Sequence, residues 1–217
     1  MSDFAVIFDM DGVIVHTNPH HKIAIQKFCS AHGIELNELT FLHKIYGRTN
    51  RDWIKNVFGD ITDEQAYAYA SEKEALFREI YEPYIKPVHG LVAFLDLLVS
   101  NNIPRAIATS APPENVDFVL DKTGLRNYFK TILDERVVTH GKPNPEIYLK
   151  TAKALDFSNN KCIVIEDSLS GITAARRAGS KVIGVTTTHT AEELAETNFV
   201  IQDFTELTIE KLREILA

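Results

Sequence analysis

Ala5-Val6-Ile7-Phe8 is a run of apolar residues with no polar alternation, and it stops at Asp9-Met10-Asp11-Gly12. A strand with one face in water alternates apolar and polar residues, whereas a strand buried on both faces reads as a continuous apolar run. Short runs of this kind recur at 105–109, 131–134, 162–166 and 182–185. Helical patterns separate them. Leu91, Phe94, Leu95 and Leu98 fall at helical spacing within 90–100. Pro113 opens a segment carrying Val116, Val119 and Leu120, with Gly124 as its stop. Asn144-Pro145 reads as the N-cap and first position of a helix to about Leu155, and Gly179 ends another that follows 162–166. Thr190 and Glu193 have capping-box spacing for one more. This order predicts an α/β fold, a doubly wound (Rossmann-like) parallel sheet with helices on both faces.

Residues 17–84 break the alternation. Asn18-Pro19 opens a helix to about His32, closed by Gly33. Thr62 and Gln65 form a second capping box, which opens a long helix to about Tyr81. Its apolar face is expected at Ala66, Tyr69, Ala70, Leu76, Phe77 and Ile80. With no strand pattern between them, 17–84 is expected as an all-helical insert, and 1–16 with 85–217 as the core. The connections at 15–17 and 82–88 are the expected hinges.

Composition narrows the class. The 217 residues carry a net charge of −7, which gives no electrostatic support to a nucleic-acid partner. No apolar run is long enough to span a membrane. Cys29 and Cys162, far apart and in apolar contexts, read as buried free thiols. The chain enters its acidic strand without a basic and apolar leader, so a cytoplasmic protein is expected. Nothing demands more than a monomer.

In an open parallel sheet, ligands bind outside the carboxyl ends of the strands. Those ends carry Asp9 and Asp11, then Thr109-Ser110, then Gly141-Lys142-Pro143, then Glu166-Asp167. Asp9 and Asp11, two apart in extended backbone, point the same way. Carboxylates that close repel each other unless a cation or a shared proton lies between them. Each piece has a plain alternative: an Asp-Gly turn, a helix cap, a surface lysine, acids at a helix start. Capping does not explain all four at the same end of successive strands. Together they make a set for phosphoryl transfer. Carboxylates without His or Cys nearby in sequence suit Mg2+, and a hydroxyl and a lysine supply donors to a phosphoryl group. Gly12 lets backbone amides approach phosphate oxygens. One aspartate can attack as a nucleophile and the other move protons.

The stretches Phe8-Asp9-Met10-Asp11-Gly12-Val13, Ala108-Thr109-Ser110, Gly141-Lys142-Pro143-Asn144-Pro145-Glu146 and Glu166-Asp167-Ser168-Leu169-Ser170-Gly171-Ile172-Thr173-Ala174-Ala175 span most of the chain. In order and spacing they resemble the haloacid dehalogenase-like superfamily, in its β-phosphoglucomutase and phosphatase branch with a helical cap. The resemblance implies that Asp9 is the nucleophile, forming an aspartyl phosphate, and that Asp11 is the general acid/base. It implies that Thr109 and Lys142 hold phosphoryl oxygens, with a nearby amide from Ser110. Mg2+ would be bound by Asp9, Asp167 and the Asp11 carbonyl, with Glu166 a direct ligand or one step removed.

In the cap, His21 and Lys73 fall where mutases of this branch place substrate-facing residues, although His21 also reads as a surface histidine beside His20. The loop Tyr46-Gly47-Arg48-Thr49-Asn50-Arg51 resembles the cap's substrate loop. Gly47, Arg48 and Arg51 are therefore substrate-binding candidates, and the two arginines read equally well as solvated charges. Three departures favour a phosphatase over a mutase. Ala111-Pro112-Pro113-Glu114-Asn115 stands where mutases carry a serine-lysine-asparagine set, leaving Asn115 as the one possible equivalent. Asn50 stands where they have an arginine, and His16 where an acid is common. The expectation is a Mg2+-dependent phosphatase acting on a small phosphorylated metabolite such as a sugar phosphate. A β-phosphoglucomutase-type phosphomutase is the alternative. A non-catalytic binding protein is a third reading, which the intact acidic set argues against.

Overall fold

The computed structural model describes residues 3–45 and 49–217, and for Leu42 the backbone alone. In chain order the elements are β1 Ala5–Phe8, α1 Asn18–Ala31, the single turn α2 Glu38–Thr40, α3 Asn50–Phe58, α4 Asp63–Tyr81 and α5 Leu91–Ser100. They continue with β2 Arg105–Ala108, α6 Pro113–Thr123, β3 Thr131–Leu133, α7 Glu146–Ala154, β4 Cys162–Glu166 and α8 Leu169–Ala178. The last are β5 Lys181–Val185, β6 Phe199–Ile201 and α9 Ile209–Leu216.

The strands form one sheet in the order β3-β2-β1-β4-β5-β6, with every pairing parallel. The two central strands are buried throughout, paired from Ala5 with Cys162 to Phe8 with Ile165. That double burial is why their sequences lack alternation. Successive residues of β1 serve opposite faces. Ile7 joins a core with Ile147, Tyr148 and Ala152 of α7 and Ile172 and Ala175 of α8. Phe8 meets the rings of Phe94, Phe129 and Phe204, with centroids 6.2, 5.6 and 6.1 Å away. The fold is the doubly wound parallel α/β sheet that the apolar runs predict. Strand order reverses between β1 and β4, so the crevice where such sheets bind ligands opens beyond Phe8 and Glu166.

Helix α7 is regular from Glu146, and the Asn144 side chain accepts from the Glu146 N–H (3.0 Å), the capping bond expected of the residue before Pro145. Helix α1 opens at Asn18 with Pro19 in its first turn, as expected, and Thr17 precedes it as the N-cap. Both capping-box hydrogen bonds between Thr190 and Glu193 form, yet the segment after them stays in turns. Strand β6 begins at Phe199, and the Asn198 N–H already donates to the Val182 carbonyl (2.8 Å), so the segment must turn back to the sheet edge. Sequence reasoning missed β6 and α9 altogether.

The chain divides into two compact units: Met1–His16 with Ile85–Ala217, and Thr17–Tyr84. The second is all helical among its described residues. Its core gathers Ile25, Phe28, Cys29, Trp53, Ile54 and Ala66. Phe28 meets Trp53, Phe58 and Tyr69 with ring centroids 6.1, 5.7 and 5.7 Å apart. In the first unit, the chain leaves and returns side by side, where Val15 bridges to Pro87 and the Val88 N–H donates to the Ile14 carbonyl (2.9 Å). Cys29 and Cys162 are buried free thiols, and burial pushes both up to about 11. Among the described residues no helix is long and apolar enough to cross a membrane.

Candidate active site

The site is built on strand ends. Beyond Phe8 the Asp9 N–H donates to the Ile165 carbonyl (3.0 Å), so the ladder delivers Asp9 to the crevice beside β4. The chain then turns, with the Ile14 N–H donating to the Met10 carbonyl (2.8 Å) and the Gly12 N–H to the Val15 carbonyl (2.7 Å). Gly12 has φ +82°, and a Cβ there would lie 1.9 Å from Asp167 Oδ2. Only glycine provides that left-handed turn and lets the carboxylate rest on its α-carbon.

Asp9, Glu166 and Asp167 are buried, and one carboxylate oxygen from each lies within 4.8 Å of the others. Lys142 Nζ donates to Asp9 Oδ1 and to Glu166 Oε1, both at 2.6 Å. One ammonium does not balance three carboxylates. Burial pushes Asp9 well above the usual carboxylate range, helped by Glu166 and Asp167 and opposed by Lys142. Burial, then repulsion from Glu166, pushes Asp167 up to about 7. Glu166 goes the other way: burial would raise it, but Lys142 and hydrogen bonds from Ser168 and Tyr148 hold it below the usual range. Lys142 is held well above its ordinary value because Asp9 and Glu166 outweigh its own burial. An all-oxygen pocket with surplus negative charge fits a hard divalent cation.

The other candidates fall as follows. Asp11 is half-buried at the turn, two residues beyond Asp9. Thr109 is buried just past β2; its N–H donates to the Leu133 carbonyl (3.0 Å) and its Oγ1 accepts from the Ala111 N–H (3.1 Å). Ser110 is exposed, and Asn115 is buried on α6.

In the helical unit the structure brings His21 and Lys73 together, with Lys73 Nζ 3.3 Å from His21 Nδ1. Lys73 donates to Glu74 Oε1 (2.5 Å), Asn50 Nδ2 donates to the same oxygen (2.7 Å), and Trp53 Nε1 donates to Asn50 Oδ1 (3.0 Å). The His21 ring stacks on Phe77, with centroids 3.7 Å apart. Arg51 forks onto Asp63 with Nη2 3.0 Å from both oxygens, and Lys55 joins at 2.5 Å. Its guanidinium is thus spent on a surface ion pair. Gly47 and Arg48 lie outside the described residues.

Glu74 makes a stability prediction. Burial would raise its carboxyl, but Lys73 and His21 overcome that and hold it at about 2. A depressed acid stabilises the fold above its unfolded value near 4.3 and loses that contribution as pH falls toward 2. Glu74→Gln is expected to cost about 3 kcal/mol at pH 7, since it strands buried Lys73. The deficit should shrink toward pH 2.5, measured by denaturant unfolding at both pH values. A deficit independent of pH would mean that the Glu74 charge is not its source.

Sequence reasoning missed three contributors. Tyr148 donates its hydroxyl to Glu166 Oε1 (2.7 Å). Thr187 Oγ1 donates to the Gly12 carbonyl (2.5 Å), and Thr188 Oγ1 donates to Asp167 Oδ2. The threonines were findable, because they form a polar run beyond the apolar strand at 182–185, the same signal that flags the other strand ends. Tyr148 was not, since it sits at core spacing with Ile147, Thr151 and Ala152.

An acid-lined crevice at the switch point of a parallel sheet defines a class of α/β enzymes, and comparison with known proteins narrows it. Residues 6–185 match the family described as haloacid dehalogenase-like hydrolase, and the chain belongs to that family. It is 29% identical over 208 residues to validoxylamine A 7'-phosphate phosphatase of Streptomyces hygroscopicus subsp. limoneus, covering 93% of this chain and 94% of that protein. It is 28% identical over 222 residues to the β-phosphoglucomutase of Bacillus subtilis (strain 168), covering 97% and 94%. Among solved structures, a family IA, variant 3 hydrolase from Entamoeba histolytica HM-1:IMSS superposes with a TM-score of 0.91 at 35% identity, covering 98% of this chain and 99% of that one.

Proposed function

We propose that the protein is a Mg2+-dependent phosphatase that hydrolyses a small phosphorylated metabolite, such as a sugar phosphate, through an aspartyl-phosphate intermediate. The observation that carries this reading is the buried Asp9 carboxylate, fixed by Lys142 at 2.6 Å in the carboxylate cluster with Glu166 and Asp167. A phosphatase and a β-phosphoglucomutase among the relatives support a phosphomonoester as the substrate class. The buried free thiols accord with a cytoplasmic location.

In this mechanism Lys142 holds Asp9 Oδ1, which fixes the rotation of the carboxylate. An Asp9 oxygen attacks phosphorus, the bond to the leaving oxygen breaks, and Asp11 gives that oxygen its proton. Asp11 then takes a proton from water as the water oxygen attacks phosphorus, and the bond to Asp9 breaks, releasing inorganic phosphate. Lys142 and the Thr109 hydroxyl donate to the phosphoryl oxygens, where charge builds up. Asp9, Asp167 and the Asp11 carbonyl would hold the cation, with Glu166 a direct ligand or one step removed, and a cation there would offset the carboxylates and polarise a phosphoryl oxygen. The helical unit, acting as a cap, would contribute His21 and Lys73 to substrate selection.

Phosphorus NMR with Mg2+, β-glucose 1-phosphate and a trace of glucose 1,6-bisphosphate tests this, followed by other sugar phosphates. Inorganic phosphate is the expected product, and EDTA should stop its release. Glucose 6-phosphate without inorganic phosphate would make the protein a mutase. No turnover across the panel would overturn the sugar-phosphate reading.

A further inference from the structure

We propose that Tyr148 is a positioning residue that fixes the Lys142 ammonium, through Glu166 and through its own ring. The consequence for turnover rests on the phosphatase reading above; the placement of Lys142 does not.

Lysine is a poor tool for precise placement, with a point charge on a four-carbon flexible stem. Here the stem carries a buried head group with two strong acceptors, Asp9 Oδ1 and Glu166 Oε1. The third contact, to the Ala108 carbonyl, is long at 3.5 Å. The third N–H is therefore weakly engaged, and its direction depends on what holds the ammonium from behind.

Tyr148 supplies that hold twice over. It is fully buried on α7, a position where a phenol needs a partner for its hydroxyl. That partner is Glu166 Oε1, the same oxygen that accepts from Lys142. The face of its ring lies 5.0 Å from Lys142 Nζ, within cation–π range.

Glu166 transmits this hold because it has no freedom left. Its Oε2 accepts from the Asp167 N–H (3.0 Å), the Ser168 N–H (2.9 Å) and the Ser168 hydroxyl (2.9 Å). With Tyr148 and Lys142 on Oε1, five donors meet a carboxylate that offers about four lone-pair sites. The Tyr148 hydroxyl thereby acts on the ammonium through a rigid group.

The test compares Tyr148→Phe, which keeps the ring, with Tyr148→Leu, which keeps neither contact. In protein labelled with 15N-lysine, the Lys142 ammonium resonance is assigned by its loss in Lys142→Arg. We expect it upfield, under the ring current, and protected from solvent exchange in the wild type. Tyr148→Phe should keep the upfield position and exchange faster, and Tyr148→Leu should lose both. In parallel, kcat should fall about tenfold in Tyr148→Phe and further in Tyr148→Leu, the size expected for one lost hydrogen bond to a charged group.

Wild-type position and exchange of the ammonium in Tyr148→Phe and Tyr148→Leu would overturn the proposal. So would a lowered Tm with an unchanged ammonium signal, which marks a merely structural tyrosine. Should Tyr148→Leu fail to fold, the Phe variant decides by its exchange rate. If the wild type turns over no phosphoester, the phosphatase reading fails, and the NMR result still judges Tyr148.

Discussion

Asp9→Asn is expected to abolish turnover, lowering kcat by at least about 10^4-fold, the scale seen when a covalent nucleophile is removed. In the proposed mechanism an amide cannot form the acyl phosphate, and Asp11, two residues on, is given the proton-transfer role. The same change should hardly touch stability. Asp9 is a buried carboxyl whose charge is opposed first by burial and then by Glu166 and Asp167. Neutralising it removes that repulsion. It also removes one partner of Lys142, but Glu166 Oε1 remains at 2.6 Å, so the ammonium is not stranded. These effects offset each other, and Tm should move by less than about 3 °C, the equivalent of about 1 kcal/mol in a chain this long. Acid quenching after brief exposure to labelled substrate should trap a hydroxylamine-sensitive phosphoenzyme in the wild type and none in Asp9→Asn. Full activity in a folded Asp9→Asn would sink the covalent mechanism.

The sheet was legible because double burial writes itself locally. Four unbroken apolar residues at β1 and five residues at β4 announce central strands without knowledge of their partners. Helix ends were legible for the same reason: Thr62 and Gln65 lie within one turn, and their reciprocal hydrogen bonds both form. What the sequence concealed is polar pairing across long separations. Nothing near Thr187 says that its hydroxyl reaches the Gly12 carbonyl, and nothing near Tyr148 says that its ring lies under an ammonium. Lys73 and Glu74 show the same limit. The resemblance marks Lys73 as substrate-facing and says nothing of Glu74, yet both are buried, because each satisfies the other and His21 and Asn50 complete the set. Local signals can also overreach. The Thr190 and Glu193 box closes, but local capping cannot lengthen a segment that must soon turn into β6.

Gly171→Ala sets helix propensity against the architecture of the site, and the site should win by a wide margin. Gly171 lies in the first turn of α8, where alanine would favour the helix by up to about 1 kcal/mol. Its Cβ, however, would lie 1.6 Å from Glu166 Oε1 and 2.0 Å from the carboxyl carbon. A flexible surface glutamate would swing aside at little cost. Glu166 has no exposure and its oxygens are held by Lys142, Tyr148, Asp167 and Ser168, so displacing it breaks hydrogen bonds that nothing nearby replaces. Several such bonds to a charged group exceed the propensity gain severalfold. We expect a net loss of about 3 kcal/mol, hence a Tm lower by about 10 °C. Activity should fall by about 100-fold, because Lys142 loses the partner that orients it. The steric origin is checked by a double-mutant cycle. In a Glu166→Ala background the clash is gone, so adding Gly171→Ala should cost nothing or stabilise, giving a coupling energy well outside the additive range. A stability gain of Gly171→Ala in the otherwise wild-type chain would mean that the Glu166 carboxylate does not occupy the space above the α-carbon of Gly171, and the cradle around Lys142 would fall with it.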